Sequence, residues 1–356
     1  MISLDGGIVI KKGSAGGVGG GVNTPTPSKP KYTGHADVEG LKAIGWTDED
    51  IAYYQENGVN WNEEYDQDHL VSDDNKALYG VLTAYNISTY RSRIVYLPKI
   101  NTSNVTSMYQ MCYLCTSLTA IPQLDTSKVT DMNSMFGSCS SLTTIPQLDT
   151  SNVTNMNQMF RECRSLKTIP LLNTSKVTDM NSMFGSCSSL TTIPQLDTSN
   201  VTNMNSMFYL CSPLTTIPQL DTSNVTNMNQ MFKGCTPLTT IPQLDTSNVT
   251  NMNSMFDGCT SLTTIPLLDT SKVTNMNRMF YGCYSLTTAN LKNMPLACEL
   301  NNSPLLSKDS LLYLINNEAA ESAITIKLAS YAYDRWATDP DVVAALTNHP
   351  NISISK

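Results

Sequence analysis

One 24-residue phrase recurs eight times in this chain, and that period restricts the fold more than any other feature. The frame begins at Asn101, Asp125, Asp149, Asn173, Asp197, Asp221, Asp245 and Asp269, with successive starts always 24 residues apart. A fixed period in this range marks stacked supersecondary units, each unable to bury its apolar face alone and completed by its neighbours. Residues 126–157 and 174–205 agree at all 32 positions, surface positions included, which points to duplication of two units. An enzyme pocket is not expected to tolerate such an insertion. A spacer or a multivalent adhesive body is, because each added coil changes length and valency without breaking the stack.

Within the second unit the invariant apolar positions are Leu124, Val129, Met132, Met135, Phe136, Cys139, Leu142 and Ile145. Spacings of three and four from Met132 through Cys139 predict one face of a short helical turn. The β-branched LTTI segment predicts a short strand beside it, and the proline that follows in the first seven units marks its end. Each coil therefore reads as strand, turn and short helix, an α/β repeat whose identical residues form ladders at about 4.8 Å per coil if the strands pair in parallel. The Leu-Asp-Thr-Ser step reads as an Asx-type cap of the turn, and two units carry Asn there, which argues against a calcium ladder.

Ten cysteines bring the redox question forward. Eight of them, Cys115, Cys139, Cys163, Cys187, Cys211, Cys235, Cys259 and Cys283, share one repeat position and read as small buried core residues, reduced and unpaired. Cys112 stands where other units carry Phe, so the lone CxxC of Cys112 and Cys115 reads as a core substitution and not as a redox or zinc motif. The two Met layers read as gap-filling core; a metal or haem site needs exposed sulfur and converging ligands. Asn-Val-Thr triplets match glycosylation sequons but read more simply as turn and ladder residues.

Outside the array the chain changes character. Residues 1–34 are rich in Gly, then in Pro, Thr, Ser and Lys, a composition suited to a tether; Ile8, Val9 and Ile10 within GGIVIKK could pair as a docking strand. Residues 35–92 read as a small, mainly helical domain with N-caps at Thr47 and at Asp73 or Asp74. IVYLP at 94–98 begins the first coil of a solenoid spanning 93–291. Residues 292–356 read as an α/β cap in which helix, strand ITIKL, helix and strand NISI seal the last coil.

A net charge of −8 and a pI near 4.9 argue against nucleic acid, which needs clustered Lys and Arg. No run of 18 apolar residues suggests membrane insertion. The start MISLDGGIVIKKGSAGG lacks a basic n-region and is not expected to act as a secretory signal. His35, His69 and His349 lie far apart with no nucleophile motif, so no enzyme, cofactor or metal site is expected. The acidic run at 63–74 reads as a solvated loop.

Differences among the units collect at the two positions before the Cys and the one after it. They are Tyr113, Leu114, Arg161, Glu162, Arg164, Tyr209, Leu210, Lys233, Asp257, Tyr281 and Tyr284. Being in phase, they are expected to form one solvent-facing stripe whose Tyr and Arg suit recognition of protein or carbohydrate.

The phrase L-D-T-S-x-V-T-x-M-x-x-M-F-x-x-C-x-x-L, carried at Leu124 to Leu142 and its counterparts, resembles the leucine-rich repeats of the BspA type. It resembles more closely the variant common in mycoplasma surface lipoproteins. The resemblance covers about residues 94–290 and implies a leucine-rich-repeat-like solenoid used in adhesion, with no catalytic residues. Its start reads as neither a signal peptide nor a lipidation site, so the anchoring of those lipoproteins is not expected here. The segments GWTDEDIAYYQENGVNWNEE and ITIKLASYAYDRWATDPDVV look like pieces from Bacteroidales genomes and their bacteriophages, including crAss-like phages. Together these imply a virion structural protein, a head or tail fibre attached to other virion proteins by its N-terminal arm. Such a protein is expected to be a dimer or trimer that meets a host surface protein or glycan. A bacterial cell-surface adhesin is the alternative.

Overall fold

The computed structural model describes residues 102–295, 297–317 and 323–356. The expected arm with Ile8, Val9 and Ile10, the helical domain at 35–92 and the first strand at 94–98 lie outside the described residues. The described chain divides into two compact units, 102–153 with 162–172, and 154–161 with 173–356.

Each coil is organised by the alternate directions of its backbone amides. In the coil that begins at Asp197, Met204, Ser206, Phe208 and Leu210 donate to the carbonyls of Asn227, Asn229, Met231 and Lys233 in the next coil, at 2.7–3.0 Å. The residues between and after them turn their amides inward: Met207, Tyr209, Cys211 and Leu214 donate to carbonyls three residues back, at 3.1–3.2 Å. Two residues per coil take the left-handed conformation that this alternation needs, here Ser206 and Leu210 with φ near +55°.

The expected short helix is therefore replaced by a run of linked tight turns, and no α-helix occurs among described residues 102–292. Turns closed by bonds three residues long return apolar side chains to one face at the same spacing as a helix. The periodicity is present and the helix is not.

The strand expectation also shifts. Isolated parallel bridges mark the row Asn155, Asp179, Asn203, Asn227, Asn251 and Asn275, just before the first Met of each coil, and Ser107 with Asp131 in the other unit. The LTTI segment becomes a regular strand only near the end of the array. There β1 (Thr264–Asp269) pairs in parallel with β2 (Thr288–Lys292). Elsewhere the proline that follows Ile offers no amide to a ladder. In β2 that proline is replaced by Asn290. Against expectation Pro266 does not end β1: the strand continues past it with a register shift between Ile265 and Leu268, the accommodation a missing donor calls for.

The apolar positions form the core as expected. Val, both Met, Phe, Cys and Leu of each coil are all but inaccessible to solvent. Phe160, Phe184, Phe208, Phe232, Phe256 and Phe280 stack with centroids 5.7–5.9 Å apart and planes within 9°. Each such pair adds about 0.5–1.5 kcal/mol beyond burial alone.

All ten cysteines are free and buried. The repeated thiol does more than fill space. Sγ of Cys187, Cys211, Cys235, Cys259 and Cys283 donates to the Phe carbonyl 27 residues earlier at 2.9–3.2 Å. Cys163 does the same to Phe136 and Cys139 to the carbonyl of Cys112. Burial pushes the thiols of Cys211, Cys235, Cys259 and Cys283 up, so they remain protonated donors.

Polar ladders close the remaining backbone and side-chain groups. The amide Nδ2 of Asn181, Asn205, Asn229 and Asn253 donates to Oδ1 of the Asn one coil earlier, linking Asn157 to Asn253. Buried Thr174, Thr198, Thr222 and Thr246 each donate Oγ1 to the Asp carbonyl of the following coil at 2.8 Å. The expected Asx caps are present: Ser127, Ser151, Ser199, Ser223, Ser247 and Ser271 donate their amides to the Asp two residues before them.

Beyond Lys292 the frame lengthens. β3 (Cys298–Leu300), β4 (Ile324–Leu328) and β5 (Ile352–Ser355) form a parallel sheet in that order, with paired residues 28 apart. Between them run α1 (Lys308–Asn316), α2 (Ser330–Trp336) and α3 (Pro340–Asn348). The single helix expected between ITIKL and NISI is two, because Asp339 caps a new helix that starts on Pro340. Ser310 of α1 donates to the Ala289 carbonyl and accepts from its amide, tying α1 to β2.

Two predictions follow from these ladders. Asn205→Ala leaves the Asn229 side-chain amide without its acceptor and takes one of two donors from Asn181 Oδ1, which keeps the Ser182 hydroxyl. It should cost about 1–3 kcal/mol in urea unfolding with an unchanged slope; a loss below 0.3 kcal/mol would show the ladder to be incidental. The second concerns acid. The hydroxyl, then the amide, of the following Ser holds Asp125, Asp149, Asp197, Asp221 and Asp245 below the usual carboxylate range. Burial works against ionisation of Asp269, yet Ser271, Lys292 and Asn293 outweigh it and bring its pKa to about 2. Groups depressed in the folded state stabilise it above the unfolded carboxylate pKa and lose that effect as pH falls through the folded value. The melting temperature should therefore drop between about pH 4 and pH 2. A flat profile over that interval would refute this account.

Candidate functional site

The variable positions lie on the linked turns that flank each Cys, where the backbone reaches the surface. In the unit formed by 102–153 and 162–172, Tyr113 is half-buried, its ring lying over Gly137 of the next coil, where an added Cβ would sit 2.9 Å from the ring. Leu114 and Glu162 are half-buried in left-handed backbone, and Arg164 is exposed, 3.4 Å from the Glu162 carboxylate. These residues are used first by the coil packing and only in part by the surface.

The other unit holds Arg161, Tyr209, Leu210, Lys233, Asp257, Tyr281 and Tyr284. Arg161 is exposed and donates to Gln158. Tyr209 is half-buried, and Leu210 lies across the bare backbone of Gly234. Asp257 departs from the expectation of a solvent-facing stripe: it is only 5% exposed. Two cations account for its burial, Lys233 Nζ at 3.0 Å from the coil before and Arg278 Nε at 3.3 Å from the coil after, both to Oδ2. A buried carboxylate is tolerable when paired in this way.

Arg278 was not among the expected stripe residues. Its guanidinium lies 4.0 Å from the centroid of Tyr281, so it links Asp257 to an aromatic ring that is 44% exposed. The signal was present in the sequence: at this phase the other seven units carry Ser or Gln, and Arg278 is the one charged residue. Gly234, Gly258 and Gly282 precede the Cys in three successive coils with φ of 74–78°. Of the three, Gly258 leaves bare backbone beside Asp257, while Leu210 covers Gly234 and Gly282 is buried. The Asn ladder was likewise missed, although Asn recurs at its phase in every unit but the first.

The arrangement offers aromatic faces, a held guanidinium and a backbone floor, which suits recognition. Among the described residues no group of three His, Cys, Asp or Glu is placed to hold a metal ion. Nor is any helix among them long and apolar enough to cross a membrane.

The left-handed glycines give a direct test. A Cβ on Gly258 meets nothing closer than 3.6 Å, so Gly258→Ala should cost about 1–2 kcal/mol through its backbone conformation alone. Gly185 is not left-handed and a Cβ there meets nothing under 3.4 Å, so Gly185→Ala should change stability by less than about 0.5 kcal/mol. Equal costs in thermal unfolding would contradict this assignment.

The family model described as "Mycoplasma protein of unknown function, DUF285" matches residues 84–192, 143–238 and 213–297, together more than half of the chain. That match carries the mycoplasma-type repeat of the sequence resemblance. No curated protein matches. Among solved structures, a leucine-rich repeat protein of T. pallidum is 22% identical, covering 47% of this chain and 76% of its own, with a TM-score of 0.37. A leucine-rich cell surface protein of Faecalibacterium prausnitzii is 19% identical over 78% of this chain and 81% of its own, with a TM-score of 0.39. A leucine-rich repeat protein of Bacteroides ovatus is 16% identical over 74% and 92%, with a TM-score of 0.30. Likenesses this distant carry no argument about function.

Proposed function

The chain belongs to the DUF285 family of mycoplasma-type repeats, and on that premise we propose that it is a non-enzymatic adhesion module that binds a host surface protein or glycan. One observation carries this reading. Positions that stack, bridge or cap are nearly constant from coil to coil, while differences gather on the turns beside the Cys, where Tyr, Arg and Lys meet solvent. A scaffold that varies mainly at its outer turns is suited to presenting contacts, and repetition multiplies weak contacts into avidity.

The carrier we propose is a phage particle, as a head or tail fibre joined to other virion proteins through residues 1–34 and associated as a dimer or trimer. The Gly-rich and Pro-rich composition of that arm, with GGIVIKK near its start, supports attachment to a particle. Display on a bacterial cell surface is the second reading, and the match to a mycoplasma-type repeat family fits it.

The test uses the full chain and a variant in which stripe residues are replaced by residues the array itself carries at those phases: Arg161→Gly, Tyr209→Gly, Tyr281→Gly and Tyr284→Ser. The chain should bind Bacteroidales cells saturably, and the folded variant should bind at least tenfold more weakly. Absence of binding, or binding that the variant retains, would refute adhesion through this stripe. Mass spectrometry of gradient-purified particles separates the carriers: a fixed copy number supports the fibre, and recovery only in washed cell envelopes supports the cell surface.

A further inference from the structure

Three successive coils of one unit depart from the repeat at neighbouring phases, where Lys233, Asp257, Arg278, Tyr281 and Tyr284 replace smaller or neutral residues. The core does not require this, since the coils with Gly137 and Gly185 fold on Gly, Ser and Ser at the same three phases. A buried carboxylate is costly to desolvate, and Asp257 is buried here with Oδ2 near both cations but accepting no hydrogen bond. Both cations are held beside the carboxylate by charge, Lys233 Nζ at 3.0 Å and Arg278 Nε at 3.3 Å. The Nη groups of Arg278 form no hydrogen bond among the described residues, and its side chain is 53% exposed. Tyr281 supports the guanidinium from below. Tyr284, three residues on and 54% exposed, has no partner among the described residues.

We infer that this cluster is a binding subsite for an acidic polysaccharide, with the carboxylate of a uronic acid on the Arg278 fork and the sugar face on Tyr284. A guanidinium presents paired donors to a carboxylate, and an aromatic ring offers a flat apolar face to a pyranose. Beside the cluster the backbone of Gly258 is clear of side chains, between Gly234, which Leu210 covers, and the buried Gly282, and gives a sugar ring a small bare floor to lie on. Two cations against one carboxylate leave the cluster positive in a chain of net charge −8. A peptide is less suited to this floor. The amides of Gly234 and Gly258 are already given to the carbonyls of Asp257 and Tyr281, and their carbonyls accept from Thr236 and Thr260, so that stretch has little backbone bonding to offer an added strand.

The inference rests on the adhesion reading and deepens it. Calorimetry of the full chain should use oligogalacturonate, its methyl ester, a cello-oligosaccharide and a poly-glutamate peptide as probes. Arg278→Gln and Tyr284→Thr restore residues that other coils carry, so both variants should fold; circular dichroism confirms it. Oligogalacturonate should bind, either variant should lose at least tenfold in affinity, and the methyl ester and neutral oligosaccharide should bind at least tenfold more weakly than the acid. The inference is overturned if oligogalacturonate does not bind, if ester and acid bind alike, if both variants bind as the parent does, or if poly-glutamate binds as tightly. Cell adhesion that survives Arg278→Gln, with no uronate binding, would sink this subsite and leave the adhesion reading standing. Loss of all cell binding by the parent chain would sink the adhesion reading itself.

Discussion

The structure depends on one backbone arrangement: alternate amides of each turn segment point to the next coil while the amides between them close the coil on itself. This division needs two left-handed residues per coil, and it satisfies backbone groups that an apolar core could not leave unpaired. Once the backbone is committed, the 24-residue register follows, and the repeated side chains meet their own kind one coil away. Phe then stacks on Phe, Asn bonds to Asn and the Asp caps recur. The cysteine is explained by the same scheme. The position needs a small, buried side chain with a donor for a carbonyl of the preceding coil, and a thiol meets all three conditions at little desolvation cost.

The stack and its core were legible in the sequence because burial acts on side-chain pattern, and the pattern recurs eight times. The backbone class within a coil was less legible. A spacing of three and four between Met132, Met135 and Cys139 is produced by a helix, and also by linked turns closed over three residues. What could have separated the two is the residue before the Cys. Gly234, Gly258 and Gly282 stand where a helix interior would disfavour glycine and a left-handed turn favours it. Leu114, Glu162 and Leu210 at the same phase obscure that signal, since bulky residues seldom accept this conformation. The stripe was visible as a phase but not as an environment. Nothing in one coil announces that Asp257 is buried, because its two partners come from the coils before and after.

Where the Met and Phe pattern stops, the stacking frame continues. Asn275 is the last residue of the bridge row. Glu299 stands 24 residues later, and Lys327 and Ser355 pair with it in turn at intervals of 28. The added length holds real helices, α1 in the first interval and α2 with α3 in the second. The shorter period leaves no room for that, so its coils use turns. Period length thus decides between turn and helix in this chain, and the alternation Cys298, Leu300, Ile324, Ile326 and Leu328 keeps the buried face through the change.

An array of near-copies supplies its own comparison, because each coil shows what the fold requires of the others. At the phase of Arg278, Ser and Gln serve the backbone equally well, and at the phase of Asp257 so does Gly. A buried carboxylate held between two cations therefore adds a desolvation cost that the stack does not demand. Drift at a solvent-facing position would more readily leave single, unconnected changes. Here Lys233, Asp257, Arg278 and Tyr281, changes in three successive coils, meet one another in space, and they leave a guanidinium and an aromatic ring toward solvent. Coordinated departure from a repeat that folds without it is the strongest sign in this molecule of a surface shaped for something other than its own stability.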